Sequence, residues 1–409
     1  MRIPVPNTIN MPFEQAKDIL REYKLKVIKD NDPYFFDKCV TKYVVDEKKE
    51  VVNVYVNDLG EDSFSLDGKV LSVRNLGFVT GRNSLNKELF AKRGVGATDL
   101  GICVDNHENL LYLYGDSFSG VDCNDGVWNS NFLAVSENKY FSNNVSFSDI
   151  VSYPNGLVKP INQGQHDKND LINLDPKNHK EVTKIPTGGI RIGDEVYIFF
   201  MYVRYWGKPG EWFVTKNECL KAKSYDLTHF ERVDTLSFDN IENDQFGQIY
   251  PFDNPFDKEH IYLLALPGGR FGNTVLLRVK KENFENKDKY EILTKKKAFK
   301  PLNKVKKEDY FFIVNINGSS EESIVYNPYL KKWIISNLDR DGTIYFLTAD
   351  TLTEEFKKDI KVLDFPHFVS LYGGFIHPRM MDHDGKRMYF QVSQWSPIYN
   401  TSLFEIIFK

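Results

Sequence analysis

The chain reads as all-β: a five-bladed β-propeller preceded by a small α+β module. Five stretches repeat one grammar of small or polar residues, an apolar strand, a turn and another strand. They begin near Gly96, Thr187, Gln248, Glu321 and Tyr372. Units of about 40–50 residues with several short strands each are the signature of a propeller. Aromatic residues supply 14% of the chain, and aromatics favour strands. A strand-like segment at 402–408 and an early one at 69–73 supply the two partners a closed ring needs to leave no edge unpaired.

Residues 1–58 form the front module. Phe13, Ala16, Leu20 and Tyr23 recur at helical spacing, with Glu14, Lys17 and Glu22 between them. Pro12 falls where a first helical turn tolerates its missing N–H. Strands are expected over 38–45 and 50–57, the second with Val52, Val54 and Val56 on one face. Residues 59–95 read as a linker carrying the ring-closing strand. The propeller takes 96–409, with blades over roughly 96–136, 183–235, 245–293, 312–356 and 370–409. A polar stretch at 142–179 is too long for a hairpin loop and reads as a functional insertion or a lid. The stretch 295–307 is a charged connector.

Composition excludes several classes. A net charge of −4 gives no basic footprint, so no nucleic acid is expected. No run of apolar residues is long enough to span a membrane. The N-terminus lacks the apolar core of a signal peptide. Four cysteines are too few and scattered for a disulfide framework or a zinc ribbon; a Cys103–Cys123 bridge stays open. No His/Cys/Asp cluster has zinc or EF-hand spacing, so no metal is assigned, and no cofactor is called for. The pairs Gly188-Gly189, Gly268-Gly269 and Gly373-Gly374 lack the Lys-Ser/Thr of a phosphate loop and read as points of close backbone approach. A serine hydrolase is not expected, because no GxSxG elbow is present.

The sharpest chemical signal is in the first unit: Thr98-Asp99-Leu100-Gly101, then Tyr114-Gly115-Asp116-Ser117-Phe118, then Trp128-Asn129-Ser130-Asn131. Asp99 would start the innermost strand and Asp116 would end the next, so an antiparallel hairpin sets them side by side. Two carboxylates at one mouth can divide acid and base or nucleophile work on a glycosidic bond. Proximity of like charges also raises one pKa and keeps that group protonated. The competing reading is turn chemistry, since Asp before Ser or near Gly commonly bonds backbone N–H groups. Glu322, at the start of the fourth unit beside Glu321, is the reserve acid. Substrate-binding candidates are Trp128, Asn131, Arg191, Gln248, His377 and Trp395, with Trp206 a further stacking candidate. Arg191 and Arg379 read first as structural partners of carboxylates.

These motifs, in order with Thr187-Gly188-Gly189, Glu322-Ser323-Ile324-Val325-Tyr326-Asn327 and Tyr372-Gly373-Gly374-Phe375-Ile376-His377-Pro378, resemble a bacterial family labelled as a domain of unknown function. Its characterised members include endo-D-arabinanases, five-bladed glycoside hydrolases that cut mycobacterial wall D-arabinan. The resemblance covers about Gly94 to Phe408 and implies Asp99 and Asp116 as the catalytic pair. Val5-Pro6-Asn7, Ala16, Leu20 and Leu25-Lys26-Val27 resemble a PASTA module of bacterial wall-associated proteins. The expected function is hydrolysis of a bacterial wall or surface polysaccharide, at an extracellular or cell-surface location. The rival is a non-catalytic glycan-binding propeller.

Overall fold

The computed structural model describes residues 5–6, 8–9, 11–30, 38–48, 50–58, 67–166, 181–208, 210–239, 245–270, 272–364, 370–396 and 398–409. Asn7, the 59–66 part of the linker and the 167–179 part of the insertion lie outside these described residues. The fold is nearly all-β. At the front, the helix Phe13–Ile19 follows Pro12 and stops at Leu20, one turn short of Tyr23. The chain then enters a three-stranded sheet in the order Lys24–Asp30, Val51–Asn57, Val40–Asp46. Val52, Val54 and Val56 alternate inward from its central strand and pack with Ala16, Leu20 and Phe78. Phe78 belongs to the rest of the fold, so this sheet is fastened to it by apolar burial.

Five further sheets follow among the described residues, each antiparallel, whereas the front sheet pairs Lys24–Asp30 with Val51–Asn57 in parallel. The first is built on Ala97–Asp105 and Leu110–Phe118, the second on Thr183–Ile192 and Glu195–Trp206, and the third on Gln248–Asn254 and Asp257–Leu266. The fourth starts with Ser323–Asn327 and the fifth with Leu371–Met381. Their first strands pack in succession, first on second through fourth on fifth, and the fifth returns to the first. Close approach is enforced by small residues: a Cβ at Gly188 would meet Tyr250 Cα at 2.8 Å. The fifth sheet takes its outer strand from Val70–Phe78, which pairs antiparallel with Asn400–Phe408. One apolar cluster runs through all five sheets.

The expected extent of the fourth blade is corrected. Phe312–Ser319 does not open the fourth sheet; it pairs with Gly272–Lys280 of the third, because the charged connector folds into short 3-10 turns that return the chain to that strand. The fourth sheet therefore begins at Ser323. The Cys103–Cys123 bridge that the sequence left open does not form, and Cys103 is a buried thiol. No helix among the described residues is long and apolar enough to cross a membrane.

Candidate active site

The first strand of the first sheet is distorted at Asp99. The pairing register with Leu110–Phe118 shifts on both sides of Leu100, and Leu100 is held at φ +73. A bulky residue rarely adopts that conformation, so the double bulge is a local cost borne by the surrounding structure. The Leu100 N–H is fixed by the Ser393 hydroxyl at 2.7 Å. The bulge lays the Asp99 carboxyl across Gly115, where any Cβ would stand 2.4 Å from Oδ1. This gives a reason for the glycine before Asp116: a side chain at that strand position would push against the Asp99 carboxyl.

Both carboxyl groups are buried. Asp99 Oδ2 accepts a 2.7 Å hydrogen bond from the Tyr372 hydroxyl, while its Oδ1 has no hydrogen-bond partner among the described residues. Asp116 Oδ1 accepts from Trp128 Nε1–H at 2.7 Å and from the Thr183 hydroxyl at 2.6 Å. Burial pushes Asp99 up to about 7, with the nearby Glu321 charge adding and Arg270 opposing. Burial pushes Asp116 up to about 8, with the Asp99 charge adding to it. The pair therefore holds protons near neutrality, as expected of coupled carboxyl groups in a desolvated site.

A third carboxylate joins them, and it is Glu321 rather than Glu322. Glu321, at φ +49, takes a forked contact from Arg270 at 3.2–3.3 Å. Arg270 lies over the rings of both Trp212 and Tyr372, at 5.3 and 5.0 Å. The fork, the phenol and Asp99 thus form one continuous group. Glu322 is held differently: its Oε2 accepts from the Thr274 hydroxyl at 2.7 Å, its Oε1 has no hydrogen-bond partner among the described residues, and burial raises it to about 7.

The other expected site residues divide. Trp128 is at the site, but His166 stacks on its ring at 3.9 Å and Phe118 at 5.9 Å, so it serves Asp116 as a donor rather than offering a bare face to a sugar. Asn131 is fully buried and fully bonded: it donates to the Asn162 and Lys184 carbonyls and accepts from the Ile161 and Asn162 N–H groups. It pins the insertion to the first two sheets. Gln248 donates to the Pro267 and Gly269 carbonyls and accepts from the Glu321 N–H, so it orients Glu321. Trp395 is 52% exposed and shares a cleft of about 400 Å³ with Arg270, Asp339 and Asp341. It alone of the six keeps an open aromatic face beside the group.

Arg191 and His377 are not there. Thr183 touches Asp116 and Tyr372 touches Asp99, and a strand rises about 3.3 Å per residue, so Arg191 and His377 lie roughly 26 and 16 Å further along their strands. They line a cavity of about 780 Å³ at the far ends of the first strands, with Asp105 and Arg379. Arg191 donates to the Asn106 and Gly193 carbonyls, and burial holds His377 down at about 4, hence neutral. Tyr372, Arg270, Thr183 and His166 escaped the sequence reading. Only Tyr372 carried a signal, as the first residue of a quoted motif. Among the described residues, no group of three or more His, Cys, Asp or Glu is arranged to hold a metal ion.

Fold and site together define a nearly all-β protein with a buried, proton-holding carboxyl pair at the start of its first sheet. The chain belongs to the family described as Domain of unknown function (DUF4185), whose profile matches residues 84–405. No curated protein sequence matches it. Among solved structures it is similar to a candidate hydrolase from Bacteroides ovatus, with a TM-score of 0.54, 12% identity, and coverage of 78% of this chain and 88% of that one. That likeness is one of fold. Weaker likenesses are to α-L-arabinofuranosidases from Podospora anserina (TM-score 0.42, 11% identity, 78% and 92% coverage) and Coprinopsis cinerea (0.43, 8%, 77% and 92%).

Proposed function

We propose that this chain is a glycoside hydrolase on a five-bladed propeller, cutting a furanose-containing bacterial wall or surface polysaccharide such as D-arabinan from within the polymer. The cycle of contacts among five first strands, closed by Val70–Phe78, supports five blades. The observation that carries the chemistry is the Asp99–Asp116 pair: two buried carboxyl groups, bonded only by neutral donors and each raised toward neutral pH. A binding protein gains nothing from this arrangement, whereas a hydrolase needs one acid and one base together.

In this reading Asp116 carries the proton, because its neighbours are neutral donors and the Asp99 charge disfavours its ionisation. Asp116 gives that proton to the leaving glycosidic oxygen as the bond to the anomeric carbon breaks. Asp99, bonded by Tyr372 and near the Arg270 cation, carries the negative charge that steadies the developing oxocarbenium ion. Water then adds to the anomeric carbon, and its proton restores Asp116. Trp395 supplies a stacking surface for a sugar beyond the scissile bond.

The test is mass spectrometry of products after incubation with D-arabinan and a panel of bacterial wall polysaccharides. New oligosaccharides that vanish with Asp99→Asn are expected. Retention of a polymer without cleavage would favour the glycan-binding reading and return both Asp residues to turn chemistry.

A further inference from the structure

Among the described residues, the insertion reaches the candidate site through His166. His166 lies flat against Trp128, with ring centroids 3.9 Å apart and planes within 2°. The indole so covered directs its Nε1–H at Asp116 Oδ1, 2.7 Å away. The imidazole edge is held in turn: its Nε2 is 2.8 Å from the hydroxyl of Ser130, a fully buried residue that also accepts the Gly164 N–H. The His166 N–H bonds the Val182 carbonyl at 2.9 Å, one residue before Thr183, the second donor to Asp116. His166 itself sits at φ +55, a left-handed conformation uncommon for any residue but glycine. A flat stack, a buried hydroxyl and a costly backbone all serve to put one ring in one place.

We propose that His166 is a positioning residue: through the stack it fixes the Trp128 indole so that its N–H holds the Asp116 carboxyl in the orientation for proton delivery. This rests on the glycoside hydrolase reading above. The ring's flatness is the part that acts, since a stack needs a planar partner and the contact with Trp128 uses the imidazole face. Phenylalanine supplies that plane without nitrogen atoms. Alanine leaves the indole face uncovered and free to tilt, and a misplacement of about 1 Å in a reacting group can cost roughly a hundredfold in rate.

Two measurements test this. On whichever polymer the wild-type protein cleaves, His166→Ala is expected to lower kcat roughly ten- to a hundredfold with KM nearly unchanged, and His166→Phe to restore most of kcat. The second needs no activity. Indole labelling with nitrogen-15 gives one N–H resonance for each of the 5 tryptophans, and Trp128→Phe identifies the relevant one. A downfield, exchange-protected Trp128 proton is expected in the wild type and in His166→Phe, and an upfield, at least tenfold faster-exchanging one in His166→Ala. If the resonance does not move in His166→Ala, or if His166→Phe behaves as badly as His166→Ala, the proposal is overturned. If the wild type cleaves nothing, the hydrolase reading falls, and the positioning contact is then judged on the resonance alone.

Discussion

The two ends of the first strands handle charge in opposite ways. At the far end, cations and anions cancel: Arg379 meets Asp105 at 2.6 Å, Lys281 meets Asp253 at 3.1 Å, and Arg191 spends its N–H groups on carbonyls. At the near end, Asp99 and Asp116 are buried and, among the described residues, receive hydroxyl and indole donors, while the Arg270 cation is forked onto Glu321. Cancelled charges have ordinary work in holding sheets together. Carboxyl groups buried without a directly bonded cation are raised toward neutral pH, where a proton can be held by one of them and released. The first strands thus have one end where charges are paired and one end where carboxyl groups are not, and the proposed hydrolysis uses the second.

Exchanging carboxyl groups at the two ends should break this comparison most sharply. Asp99→Asn and Asp116→Asn are each expected to lower kcat by roughly a thousandfold or more with the fold intact by circular dichroism. Asp105→Asn should leave kcat within about threefold. A fully active variant at either near-end position would remove that residue from the mechanism. The arginines come next. Arg270→Ala frees Glu321 and is expected to cost on the order of a hundredfold in kcat/KM, whereas Arg379→Ala, a half-exposed partner, should cost under ~1 kcal/mol of stability and little activity.

The pH dependence sharpens the contrast further. In the folded chain both near-end groups lie above their ordinary value of 3.8, so the folded state binds protons more tightly. Their contribution to stability is full below about pH 4 and is lost as pH rises through about 7 and 8. Asp116→Asn keeps an Oδ1 for Trp128 and Thr183 and removes the ionisation. Its Tm should exceed that of the wild type near pH 9, by ~1 kcal/mol or more in stability, and match it near pH 4. The wild-type rate should be bell-shaped around the same interval, with one proton shared by the pair at the optimum. The smallest expected effect is at the rim: Trp395→Ala should raise KM for polymer several-fold and leave kcat alone.

Much of the near end was legible because it is local. Asp99, Gly115 and Asp116 sit on one hairpin, and strand pairing alone brings their ends together. The strand grammar likewise placed the first strands near Gly96, Thr187, Gln248, Glu321 and Tyr372, and erred in letting the fourth blade reach back to Phe312–Ser319, which pairs with the third sheet. What depended on side-chain direction was not legible. Glu321 and Glu322 are adjacent in sequence yet face different surroundings, and only the contact with Arg270, 51 residues away, separates them. Arg191 and His377 look like strand-start residues until the strand's own length carries them to the other mouth. Trp128 read as a sugar platform because nothing in the sequence reveals that His166 already lies on it.

Closure of the fold joins distant parts of the polypeptide. Thr80 and Thr401, 321 residues apart, share a hydrogen bond where Val70–Phe78 meets Asn400–Phe408. During synthesis at ~5–20 residues per second, the early strand waits on the order of tens of seconds for its mate. Throughout that interval it is an open edge, able to recruit any extended chain nearby. The small N-terminal sheet is made first and buries Phe78, so part of the waiting strand has a cover before its partner exists. Chain order and final packing thus place the same cover on Phe78.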